Sequence, residues 1–284
     1  MPSWLNPTLL NDPVVQTAAL PLLCATVVAI LLRLVAGPGR GAALAGAGIT
    51  IGFIAAYVTI IGTPSLEPRG SVQKLVYIAA GGLIVGTLVD LWNARRWIRW
   101  AALLGWPTLA LAWLAENRLA QATVETWYLI GPIWAAMVLS LGRLEHAARR
   151  EIDAGIVLLA FAIGLGAVAL FGRSASLAQL ALALAAALGG FLLLNWPRAR
   201  FAFGASVVLG AGGTAVALAA TLALFTGANR WALGALLLCL LADLLFRRVL
   251  PKSGALRAPI LALCAGLPAL AAGGIAYYIV RDSM

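Results

Sequence analysis

The run Asp153-Ala-Gly-Ile-Val-Leu-Leu-Ala-Phe-Ala-Ile-Gly-Leu-Gly-Ala-Val-Ala-Leu-Phe171-Gly172 holds one charge, at its first residue. After Arg173 and Ser174, a second run over 175–195 holds none. About 20 apolar residues are enough for a helix to cross the hydrocarbon core of a bilayer. Two such runs, separated by a cation and a hydroxyl, read as a pair of antiparallel membrane helices.

The same reading extends in both directions. Apolar runs between charged or Pro/Gly-rich breaks give ten candidate spans, at 14–35, 41–63, 75–93, 100–116, 123–142, 153–172, 175–195, 203–225, 230–246 and 258–280. The expected fold is an all-α, polytopic membrane bundle of about ten helices, with residues 1–284 forming a single membrane domain. Composition agrees: 63% of the 284 residues are hydrophobic and 11% charged. Soluble domains average about 45–50% apolar and about 25% charged. A soluble enzyme, a disordered chain and a secreted disulfide scaffold are thereby excluded.

The net charge of +10 is distributed unevenly. With the N-terminus placed outside and the breaks counted alternately, 14 of the 20 basic residues fall on one side. Cations concentrate on the cytoplasmic side of membrane proteins. The bias predicts both termini on the non-cytoplasmic side of a bacterial inner membrane, with anionic lipid as the partner of the cations. No basic soluble module stands ready for nucleic acid. The first 12 residues lack Lys and Arg, so the first run is expected to remain as a span rather than serve as a signal peptide. Trp92, Trp97, Trp100, Trp196 and Trp231 fall at predicted interfaces, as an aromatic belt requires.

Chemistry-bearing residues are few. Cys24, Cys239 and Cys264 lie in apolar runs without CxxC spacing, and His146 is the single histidine. No metal-ligand set, phosphate-cradling glycine loop or nucleophile–histidine pair is present, so no catalytic residue, cofactor or metal is designated. His146, in Arg143-Leu-Glu145-His146-Ala-Ala-Arg149, reads as a solvated residue of a short interfacial helix. The polar groups in or beside spans are Asp243, Asp90, Asn195 and Gln16. Intramembrane carboxylates mark ion pairs or transport paths, and Arg95 and Arg247 are the expected partners of Asp90 and Asp243. Pro21, Pro107, Pro132 and Pro268 fall inside predicted helices, where each removes a backbone donor and offers a kink or a functional break. Glu67, Arg69, Glu116, Arg118 and Glu125 form a candidate outer rim whose carboxylates and guanidiniums suit a polar substrate. Gly48-x-x-x-Gly52 and Gly82-x-x-x-Gly86 predict close helix seams or a homodimer face.

In number of spans and length the chain resembles the drug/metabolite transporter superfamily. It lacks that family's five-plus-five repeat and cytoplasmic termini, so no family residue is carried over. The leading expectation is a transporter of a small apolar or lipid-like solute. The alternative is a non-catalytic subunit that scaffolds or anchors a larger membrane complex. A third reading is an intramembrane enzyme that acts on a lipid substrate through the outer Glu/Arg group.

Overall fold

The computed structural model describes residues 12–92, 94–121, 123–148, 152–246, 248–251 and 256–282. Besides the short helical pieces Gly37–Gly41, Ala42–Leu44 and Glu116–Leu119, ten longer helical segments follow one another among these residues. They are α1 (Val15–Ala36), α2 (Ala47–Ile60), α3 (Ser71–Leu91), α4 (Arg96–Leu114), α5 (Val124–Ala148), α6 (Ile152–Phe171), α7 (Ala175–Leu194), α8 (Ser206–Phe225), α9 and α10 (Arg257–Asp282). Segment α9 is composite: α-helix over Arg230–Leu236, a 3₁₀ stretch over Leu237–Leu241, and α-helix again over Ala242–Leu245. No strand occurs among the described residues.

Seven of the ten are long and apolar enough to cross a membrane. The expected all-helical bundle is found, while about ten spans are not confirmed by this criterion. α2 has 14 residues and reaches only about 21 Å at about 1.5 Å per residue. α4 opens on Arg96 and Arg99, and α9 is interrupted. The helix around Glu145 and His146 also differs from expectation. It is the last turn of the 25-residue α5 rather than a separate interfacial helix. Trp4, Arg149, Arg247 and Lys252 lie outside the described residues.

α8 is the centre of the bundle, with 89% of its apolar window buried. Its first part, Ser206–Gly212, is wound as a π-helix and packs along α3. Glycine makes that approach possible. A Cβ on Gly82 would lie 2.2 Å from the Leu209 carbonyl oxygen, and one on Gly86 would lie 2.4 Å from that of Ala205. The other GxxxG pair acts likewise: a Cβ on Gly48 or Gly52 would lie 2.6 Å from the carbonyl oxygen of Ala25 or Pro21 on α1. Lipid supplies little hydrophobic drive between helices, so backbone proximity takes over that role. Both GxxxG pairs thus face seams within the chain. Beyond this centre, α7 packs on α1, α2 and α6, while α10 packs on α6 and α9.

Helix ends are closed by side chains. Asp90, at the end of α3, accepts from Ala205 N and Ser206 N, both at 2.9 Å, and so caps α8 from a neighbouring helix. Asn229 Oδ1 accepts from Trp231 N and Ala232 N at the start of α9. Gln73 Oε1 reaches back to Arg69 N and Gly70 N at the start of α3.

The α3–α8 seam carries a prediction. Gly86→Leu is expected to abolish recovery of monodisperse protein in mild detergent. Gly105→Ala, where an added Cβ meets nothing within 4 Å, is expected to leave it unchanged.

Candidate functional site

Helical spacing builds the site. Along α5, Glu125, Tyr128, Leu129, Pro132, Ala136 and Ser140 recur at intervals of three and four and share one stripe. From Tyr128 to Ser140 that stripe forms one wall of an apolar groove of about 380 Å³. α6 contributes Phe161, α8 contributes Ala220 and Ala223, and α9 contributes Arg230 and Leu237. The stretch from Tyr128 to Ser140 rises about 18 Å at about 1.5 Å per residue. One leaflet of a bilayer core is about 15 Å deep, so the groove has the length of a single lipid chain.

The mouth of the groove is polar. Arg230 lines it on the Tyr128 side, and no carboxylate pairs with Arg230 among the described residues. Arg118 Nη2 donates to the Leu224 carbonyl at 2.8 Å, next to Ala223 of the groove wall. Its guanidinium also lies over the Phe225 ring at 5.6 Å. Glu116, two residues earlier, accepts from Lys74 Nζ at 2.7 Å. Glu125 is exposed at the top of the α5 stripe, one turn above Tyr128. Pro132 lacks an amide hydrogen, which leaves the Tyr128 carbonyl without its usual helical donor at the same end.

Of the expected outer rim, the structure draws Glu116 and Arg118 together through one short helix, Glu116–Leu119, and sets Glu125 above the groove. Glu67 and Arg69 stay exposed in the loop before α3, where Tyr77 Oη donates to the Ser65 carbonyl at 2.5 Å. Pro132 stands in the groove wall. Pro21 and Pro107 are buried between helices, and α4, α5 and α10 continue through Pro107, Pro132 and Pro268.

Asp90, Asp243 and Asn195 have structural partners that the sequence reading did not name. Asp90 caps α8 and lies 3.9 Å from Arg99 Nη2. Asp243 pairs with Arg143 of α5, one turn beyond Ser140 on the groove stripe. Asn195 Oδ1 accepts from Arg200 N and Phe201 N at 2.8 Å, closing its own loop rather than bridging two spans. Gln16 is partly buried in the first, π-helical turn of α1.

Sequence reasoning missed three features. Lys74, read as a loop residue, is buried in α3, with its ammonium on the Trp113 carbonyl at 2.7 Å and 5.6 Å from the Trp113 ring centroid. Asp153 and Arg257, at the first turns of α6 and α10, form a bidentate pair at 3.0 and 2.6 Å. Arg230 was counted only for orientation. Its spacing behind Asn229 and ahead of an apolar run was a legible helix-start signal, but its approach to α5 is a tertiary fact.

No family model matches this chain. Among curated proteins, one from Streptomyces coelicolor that bears the name "Putative glycosyltransferase" is 30% identical over 190 residues. The match takes in 65% of this chain and 38% of that protein, so the chain spans about two fifths of its relative's length. This similarity overturns the expectation of a transporter and that of a non-catalytic subunit. The polar groups beside the groove, Arg118 and Arg230, come from positions far apart in the chain.

The Asp153–Arg257 pair supports a quantitative expectation. The Asp153 side chain is 2% exposed, so Arg257→Ala leaves an uncompensated buried charge. Removal of one partner of a buried pair costs about 3–5 kcal/mol. Arg257→Ala should lower the detergent melting temperature sharply, and the double variant Asp153→Asn/Arg257→Ala should recover a large part of the loss.

Proposed function

We propose that this chain takes part in glycosyl transfer at a membrane and that its substrate is carried by a lipid. The observation that carries this reading is the groove: an apolar channel one lipid chain long, opening beside Arg230, in a chain similar to a protein named for glycosyl transfer. In this reading the ten helical segments are ten crossings, and both termini lie on the side of the groove mouth.

The chemistry follows from the residues at the mouth. The lipid tail occupies the groove between α5, α8 and α9. The sugar is joined to the lipid's phosphate through its anomeric carbon, and the phosphate rests beside Arg230 and Arg118. A hydroxyl oxygen of the acceptor attacks the anomeric carbon. The bond from that carbon to the phosphate oxygen breaks, and its electron pair stays on the phosphate. Guanidinium groups neutralise that charge well because they meet phosphate oxygens through paired hydrogen bonds. The acceptor's proton passes to Glu125, an exposed carboxylate suited to general-base work. The freed Tyr128 carbonyl offers a hydrogen-bond acceptor that orients the hydroxyl.

The test is transfer from a prenyl-phosphate-linked sugar by the purified full chain in nanodiscs. Glu125→Gln is expected to slow turnover about a hundredfold or more, the usual span of general-base catalysis. Arg230→Gln should raise the KM for the lipid substrate, and Ala220→Trp should block the groove and remove activity. Equal rates in all three variants would exclude the groove from the reaction. The crossing count has its own check: topology fusions at residues 1 and 284 should both report the non-cytoplasmic side.

A further inference from the structure

A second cavity, of about 390 Å³, lies at the other end of the bundle, between the start of α4 and the end of α5. Arg96, Arg99, Trp100, Glu145 and His146 line it. We infer that it is a binding site for a phosphate group, presented either by a free phosphate compound or by the headgroup of an anionic lipid. The inference goes beyond the glycosyl-transfer reading and does not rest on it.

Charge and hydrogen bonding carry the inference. Two guanidiniums and an imidazole face the cavity against a single carboxylate, that of Glu145. Arg96 is exposed, and no ion pair holds it among the described residues. Arg99 has two carboxylate neighbours, but both contacts are long: 3.4 Å to Glu145 and 3.9 Å to Asp90. Charge-assisted bonds of this type settle at about 2.7–2.9 Å. Asp90 is already engaged, since its two oxygens accept from Ala205 N and Ser206 N. The Arg99 fork is thus loosely held, one-third exposed, and keeps donors available toward the cavity. Two forks around one space match the tetrahedral oxygens of a phosphate. Trp100 lines the cavity and is exposed beyond it, as is the nearby Trp97, which puts the site at the depth where lipid headgroups sit. Arg143, by contrast, turns its Nη2 to Asp243 and does not line this cavity.

His146 supplies a local probe because the chain has one histidine. Full-length protein is labelled on the histidine ring, carries no histidine tag, and is followed by NMR. One arm titrates inorganic phosphate and pyrophosphate in a neutral detergent. The other compares phosphatidylglycerol with phosphatidylcholine nanodiscs. A saturable shift of the His146 signal in either arm, weakened about tenfold or more by Arg96→Gln, supports the site, and the arm that responds identifies the source of the phosphate. Arg96 is exposed, so its replacement should leave folding intact. Arg281→Gln, distant in sequence and exposed, should leave the titration unchanged. The absence of a saturable shift in both arms would overturn the inference, as would an equal response in Arg96→Gln.

Discussion

The α3–α8 seam is the constraint on which the rest of the bundle depends. An apolar solvent gives helices little reason to associate, and it gives an unpaired backbone group no water to turn to. This chain meets both conditions at one place. Gly82 and Gly86 let the two backbones touch, and Asp90, a turn beyond, receives the amides of Ala205 and Ser206. The π-helical winding of Ser206–Gly212 lies along this contact. With α8 fixed there, its far half presents Ala220 and Ala223 to the groove and its last turn receives Arg118.

A second ordering follows from where the ion pairs lie. Lys74–Glu116 ties one end of the bundle, while Asp90–Arg99–Glu145, Arg143–Asp243 and Asp153–Arg257 tie the other. Each pair joins different helices, and the Arg143–Asp243 and Arg257–Asp153 pairs compensate carboxylates buried in an apolar bundle. Of the cations that border the two cavities, Arg96 and Arg230 have no such partner among the described residues, whereas Arg99 has two long ones.

How much of this was legible in the sequence follows from the range of each interaction. The length of an apolar run is local, so runs such as 153–172 and 175–195 are helices in the structure. Close seams were legible because GxxxG spacing is also local. Span count was less so: α2 is shortened and α9 is broken by packing that no single run reports. Partners were misread where they depended on tertiary approach. Asp243 reaches Arg143, a hundred positions away, while the expected partner Arg247 lies outside the described residues. The rim residues Glu116 and Arg118 were recognised as types. Arg230 and Tyr128 escaped because a cation after a span and an aromatic at an interface both have ordinary explanations.

The 3₁₀ stretch of α9 sets the direction of Asp243. A 3₁₀ turn advances about 120° per residue against about 100° for an α-helix. Over Leu237–Leu241 the difference accumulates to roughly a quarter-turn. Arg230 and Leu237 face the groove from one flank of α9; regular α-helical winding from Leu237 would leave Asp243 roughly 120° off that flank, and the overwound stretch brings it back to within roughly 40°. Asp243 thereby stays on the groove-facing flank and meets Arg143, which continues the groove stripe of α5. The short helix works as a phase adjuster, so that one segment can present a cation to a lipid-sized channel at one end and lock its neighbour with a carboxylate at the other.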